Sequence, residues 1–187
     1  MKFEEAVLPH LDAAYNLARW LTRNEHDAQD VVQESYLRAL RFFGGFHGTD
    51  ARAWLLTIVR NTCYTWLRRN RSPELSGDFD EVVKLRESEG PDPEAEHVLR
   101  VQAKLANEAI EKLPIEFREV IVLRELEELS YKEIAAITGV PLGTVMSRLA
   151  RARRRLMSTL QEKGVTRNTR DRRVGPLDQA ECVSSVS

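Results

Sequence analysis

Apolar residues recur at steps of three and four along most of this chain, and no stretch alternates with a period of two. Phe3, Val7, Leu11, Ala14, Leu17 and Leu21 make one stripe, and Val31, Val32, Tyr36, Leu37 and Leu40 make the next. Trp54, Ile58 and Trp66 follow at four-residue multiples. Val98, Val101, Leu105, Ala109 and Leu113 lie beyond, then Phe117, Val120, Ile121 and Leu123, then Val145, Leu149, Ala152 and Leu156. A chain with only helical stripes buries its apolar surface by packing helix on helix, so the expected fold is all-α.

Breaks in the pattern divide the chain. Asn24 can cap the second helix, which is expected to reach about Phe43, before Gly44, Gly45 and Gly48 interrupt it. Thr49 or Asp50 can cap a third helix ending near Arg69. Residues 72–93 hold three prolines, two glycines and many acids, too few apolar groups to offset ordering entropy. They are expected to be a flexible linker, with at most a short helix at 79–86. Two small helical domains, 1–71 and 94–163, flank it. Residues 164–187 are expected to form a disordered tail.

Charge follows the same division. Residues 51–71 carry five arginines and no acid, residues 72–97 nine acids against two bases, and residues 141–163 six bases against one acid. Two basic segments around an acidic one suit two nucleic-acid-facing modules, or equally two solvated helix faces and a polar loop. No apolar run approaches the ~18–20 residues of a membrane span. Glu4 and Glu5 stand where a signal peptide would be basic, so a cytoplasmic protein is expected. Cys63 and Cys182 alone make neither a disulfide framework nor a zinc site. Cys63 reads as a buried small hydrophobe.

Ser130-Tyr131-Lys132-Glu133 is a capping box, Gly139 suits a left-handed helix end, and Pro141 suits the start of another helix. Together they outline a helix-turn-helix. With Val145, Leu149, Ala152 and Leu156 inward, the opposite face presents Gly143, Ser147, Ala150, Arg151 and Arg154. Ser147 and Arg151 can reach base edges there. Thr144, Arg148, Arg153 and Arg155 fall where phosphates would pass. The alternative is a helical hairpin with a solvated basic face.

In the first module, Arg60, Asn61, Tyr64 and Arg68 lie on a helix with Trp54 and Trp66, just after Phe42, Phe43, Phe46 and His47. Rings interleaved with positive charge suit single-stranded DNA, although the tryptophan spacing fits a core equally well. The preceding helix sets Asp27, Gln29, Asp30, Gln33 and Glu34 beside its apolar stripe. Such a face would repel DNA but could bind a basic protein surface. The histidines His10, His26, His47 and His97 are scattered, with no nucleophile–base pair, phosphate loop or metal-ligand spacing. No enzyme, metal or cofactor is expected.

Asp27-Ala28-Gln29-Asp30-Val31-Val32-Gln33-Glu34 with Leu37-Arg38-Ala39 resembles the polymerase-binding segment of bacterial sigma factors. Trp54-Leu55, Ile58 and Arg60-Asn61 resemble their promoter-melting helix. Leu129–Ala135 and Val140–Arg153 closely resemble the upstream-element reader of the extracytoplasmic-function (ECF) group of the sigma-70 superfamily. The resemblance covers about residues 1–163. It implies a dissociable initiation subunit of RNA polymerase. Asp27, Asp30, Val31, Gln33 and Glu34 would hold the clamp of the largest subunit. Phe46, His47, Thr49 and Asp50, with Arg60, Asn61, Tyr64 and Arg68, would take the melted −10 element. Ser130, Tyr131, Thr144, Met146, Ser147, Arg148, Ala150, Arg151 and Arg154 would read the −35 element as duplex. Implied partners are core RNA polymerase (clamp and flap), duplex and single-stranded promoter DNA, and an anti-sigma factor, without direct membrane insertion. The second functional class is a stand-alone helix-turn-helix regulator whose first module senses a signal or dimerises.

Overall fold

The computed structural model describes residues 2–48, 50–70 and 93–162, and among these there is no strand. The expected linker up to residue 92, the 79–86 helix, the tail and Thr49 lie outside them. Eight α-helices follow in order: α1 (Phe3–Val7), α2 (Leu11–Thr22), α3 (Glu25–Phe42), α4 (Ala51–Asn70), α5 (Pro93–Glu111), α6 (Ile115–Ile121), α7 (Tyr131–Thr138) and α8 (Leu142–Glu162).

The first apolar stripe belongs to two helices, not one. Pro9 has no amide hydrogen to donate, and the chain passes through a 3₁₀ turn at Leu8–His10 between α1 and α2. Asn24 caps α3 as expected, its side chain accepting from the Asp27 amide at 3.0 Å. Asp50 caps α4, accepting from the Ala53 amide at 2.9 Å. Pro114 separates α5 from α6, and α6 runs on into a π-helical turn at Val122–Leu126. The capping box at Ser130 is formed, and Gly139 ends α7 at φ 69°. Pro141 sits just before α8 rather than inside it; its carbonyl accepts from the Val145 amide at 3.1 Å.

Small residues, not large ones, bury α3. Its inward face is Ala28, Val31, Ser35 and Ala39, which lets α2 and α4 approach closely. Ser35 satisfies its buried hydroxyl by donating to the Val31 carbonyl at 2.6 Å. Leu37 and Leu40, expected in the core, are 54% and 52% exposed. Val101 is likewise on the surface of α5, while Ala109 and Leu113 are buried.

The two halves do not stand apart. Leu17, Leu21, Leu55, Leu56 and Val59 of the first join Ile121, Leu123, Ile134 and Leu149 of the second in one continuous buried cluster. Helix α4 lies along α7, and α2 along α6. Arg118 of α6, almost fully buried, donates to the Trp20 carbonyl near the end of α2 and to the Leu113 carbonyl, both at 2.9 Å. It thereby serves a carbonyl that the last turn of α2 leaves without an intrahelical donor. Burial and the nearby Arg23 charge lower the Arg118 pKa to about 10.

Candidate polymerase and nucleic-acid interfaces

The face of α8 opposite its buried Val145, Leu149 and Ala152 carries Met146, Ser147, Ala150, Arg151 and Arg154, all exposed. Ser147 turns its hydroxyl back onto the Thr144 carbonyl at 3.0 Å, leaving Arg151 as the long side chain at the middle of that face. Ser130 is engaged in its cap. Tyr131 is half-buried beneath the Arg124 guanidinium, 5.1 Å from its ring centre. Two arginines expected at phosphates turn toward their own module. Arg153 pairs with Glu125 at 2.7 Å, and Arg155 lies 4.9 Å over the Phe117 ring. Arg148 is half-buried, and its charge acts weakly on Tyr64 and Glu119.

In the loop before α4, Phe46 is not free. Its ring lies 4.7 Å from Trp54 and 6.1 Å from Phe43, in a chain of rings that reaches Phe3 and Tyr36. A Cβ on Gly48 would come within 2.9 Å of the Phe46 ring, so the loop closes tightly on it. His47 and Asp50 are exposed. On α4, Asn61 and Arg68 are exposed, while Arg60 and Tyr64 are half-buried against the second module. The Arg60 guanidinium pairs with Glu119 of α6 at 2.5 Å and covers the Tyr64 ring at 4.5 Å. The Tyr64 hydroxyl donates to the same carboxylate at 3.2 Å. Burial, then the Glu119 charge, raises the Tyr64 pKa. Glu119 is itself fully buried, and the loss of water raises its pKa against the opposing pull of Arg60.

A second seam contact went unread in the sequence. Arg52 donates to the Glu127 carboxylate at 2.7 Å and to its carbonyl at 2.9 Å, and Asn16 reaches the same carboxylate at 3.1 Å. Nothing in periodicity marks Glu119, an acid within a buried stretch, or Glu127, a buried acid between exposed neighbours, because the partner of each lies more than fifty residues away.

Helix α3 presents a mixed face. Asp30, Gln33 and Glu34 are exposed, Asp27 is half-buried, and Val31 faces the core. Burial and the neighbouring Asp30 raise the Asp27 pKa. Beside these acids, Glu34, Leu37, Arg38, Arg41 and Phe42 line an open surface concavity. Leu37, Leu40 and Phe42 were legible as surface residues only by allowing alanine and serine to form the core stripe.

The chain matches the family model of sigma-70 region 2 over residues 6–72 and that of sigma-70 region 4 over residues 104–156. It is 39% identical over 162 residues to the ECF RNA polymerase sigma factor SigE of Mycolicibacterium smegmatis, a match spanning 84% of this chain and 61% of that protein. It is 36% identical over 154 residues to the ECF RNA polymerase sigma-E factor of Haemophilus influenzae, spanning 78% and 79% of the two. Among solved structures it resembles the sigma factor RpoE crystallised with the anti-sigma factor NepR from Bartonella quintana, at TM-score 0.65 and 32% identity over 85% of this chain and 96% of the other. It also resembles CnrH in complex with the cytosolic domain of CnrY, at TM-score 0.60 and 27% identity over 86% and 88%.

Proposed function

Since this chain belongs to the ECF sigma factors of the sigma-70 family, we propose that it binds core RNA polymerase and selects promoters for transcription initiation. Helix α8 reads the −35 element as duplex, with Arg151 at base edges and Thr144, Arg148 and Arg154 toward phosphates. The loop at His47–Asp50 and the flank of α4 bearing Arg60, Asn61, Tyr64 and Arg68 take the separated −10 strand, where rings and positive charge hold bases and backbone. The face of α3 bearing Asp27, Asp30, Gln33 and Glu34 docks on a basic surface of the polymerase clamp, and the exposed Leu37 and Leu40 add apolar contact. As with the similar sigma factor RpoE co-crystallised with the anti-sigma factor NepR, an anti-sigma protein is the inferred inhibitor.

One observation carries this reading. A single chain presents an arginine-bearing helix-turn-helix and, on a separate helix, a face whose exposed Asp30, Gln33, Glu34, Leu37 and Leu40 suit a protein surface rather than DNA, with Arg38 already paired to Glu34. A repressor does not need the second. The test is run-off transcription from a genomic promoter library with purified core polymerase. Specific initiation is expected only when both components are present. Asp30→Arg should abolish co-purification with polymerase while changing stability by only about ±0.5 kcal/mol, since it alters an exposed helix face. Tight, specific gel shifts by the protein alone, unaffected by polymerase, would overturn the assignment.

A further inference from the structure

The exposed face of α8 is divided along its length. Ser147, Arg151 and Arg154 form a polar strip. Beside it Gly143, Met146 and Ala150, at steps of three and four, form a second strip whose only polar side-chain atom is a weakly accepting thioether sulfur. All three are exposed, Met146 at 51%. Packing does not account for that methionine, because α8 buries Val145, Leu149 and Ala152 on its other side. Gly143 has nothing within 4 Å of where a Cβ would stand, and Ala150 adds only a methyl, so Met146 is the one tall group on the strip. A large apolar side chain thus stands one residue from Ser147 and five from Arg151, on the face that meets the groove.

We propose that Met146 is a specificity-determining residue of the −35 interface that reads the C5-methyl of a thymine, while Arg151 reads hydrogen-bonding base edges alongside it. The inference rests on the reading of α8 as the −35 reader and adds the base chemistry of one strip. In the major groove every base pair shows donors and acceptors, and thymine alone adds an apolar group, its methyl. Methionine has no hydrogen to donate. Against a donor or acceptor edge it would displace water and give no hydrogen bond in return, which costs free energy. Against a methyl it gains by burial. Its unbranched side chain has three rotatable bonds, so it can settle on that methyl wherever Arg151 fixes the register. The low strip formed by Gly143 and Ala150 lets the groove wall come close enough for the contact.

The test uses holoenzyme made with the full chain. A promoter fragment is first selected from a library randomised over the −35 element. Each thymine of that element, on either strand, is then replaced singly by deoxyuridine, which removes the methyl and leaves every hydrogen-bonding group in place. In run-off competition against the unmodified fragment, one replacement should lower initiation by the parent about fourfold, the worth of one buried carbon at ~0.8 kcal/mol. Met146→Ala should start equally from both fragments. Met146→Leu should keep the parent's discrimination, and Met146→Gln should select a different base pair at that position. Arg151→Ala should still sense the missing methyl while losing preference elsewhere in the element. Because Met146 lies on the surface, its variants should keep the parent's thermal midpoint. A selected element without thymine on either strand, or no effect of deoxyuridine on the parent, would overturn the proposal. So would an effect that persists in Met146→Ala, since it would then belong to DNA shape or to another residue. Failure of the underlying reading looks different: neither Met146→Ala nor Arg151→Ala would then change the −35 sequence that holoenzyme selects.

Discussion

Phe46 shows how little of a ring's surroundings a local stretch of sequence fixes, since a loop ring there can capture a base or plug the space beneath the loop. The flanking glycines suggest a side chain free to reach outward, yet the ring lies against Trp54 and Phe43. Aromatic pairs at such distances contribute about 0.5–1.5 kcal/mol beyond the area they bury. Phe46→Ala should therefore lower stability by ~2 kcal/mol, less than the ~3–5 kcal/mol of a fully buried phenylalanine because the ring is only half-covered. A lowered melting temperature is the expected result. An unchanged one, with a defect only in permanganate-detected promoter opening, would return Phe46 to direct base capture. Cys63 is the opposite case, read correctly as inert. Burial, with the Glu119 charge, pushes its thiol up to about 12. The folded protein keeps that proton where the unfolded chain loses it near ~8.5. Its contribution to stability is thus fully present below that value and is lost as pH rises through about 12. In a Cys182→Ser background, Ellman's reagent should react at neutral pH only after denaturant is added.

At the scale of elements, the helix-turn-helix was the most legible part because its signals are local. A cap, a left-handed glycine and a stripe of period 3.6 each act within one turn of chain. Gly139 holds φ at 69° with nothing within 4 Å of where a Cβ would stand, so the constraint there is the backbone and not space. Gly139→Ala should cost roughly 1–2 kcal/mol, the penalty an L side chain meets in the left-handed region. The thermal midpoint would register it, and Gly139→Asn should lose less because asparagine tolerates that region. Arg151 stands clear at the centre of the exposed face of α8. Arg151→Ala should cost roughly 1–3 kcal/mol at one −35 position and relax preference there, read by transcription from a randomised −35 library. Arg148→Ala should weaken all sequences alike, as loss of a phosphate contact does. A shared change of base preference would mean that α8 meets the groove rotated from this face. Helix α3 was less legible for a different reason. Its core is alanine and serine, so counting only large apolar residues turned the stripe toward Leu37 and Leu40.

At the scale of the whole molecule, the seam was invisible from sequence because it depends on pairs such as Arg60–Glu119 and Arg52–Glu127, which no local pattern connects. Its pH dependence follows from Glu119. Burial raises that carboxyl, outweighing Arg60, the Tyr64 hydrogen bond and the nearby Arg148 charge. On opening, water returns and the group reverts toward its ordinary value near ~4.3. The closed form therefore binds the proton more tightly than the open form. Its contribution to closure is fully present below the open-state value and is lost as pH rises through the raised closed-state value. Cys63 and Tyr64 also face Glu119, but both keep their protons over this range because their own pKa values are raised. With dyes placed through Lys2→Cys and Ser158→Cys in a Cys182→Ser background, the fraction of molecules whose halves are packed together should fall as pH is raised from about 4 and level off once Glu119 is ionised in both forms. Glu119→Gln keeps the shape of the side chain without the titration, so its closed fraction should stay flat across the same range. A parent protein as flat as Glu119→Gln would show that Arg60 holds Glu119 ionised throughout. The seam would then be a fixed ion pair over this range, insensitive to pH.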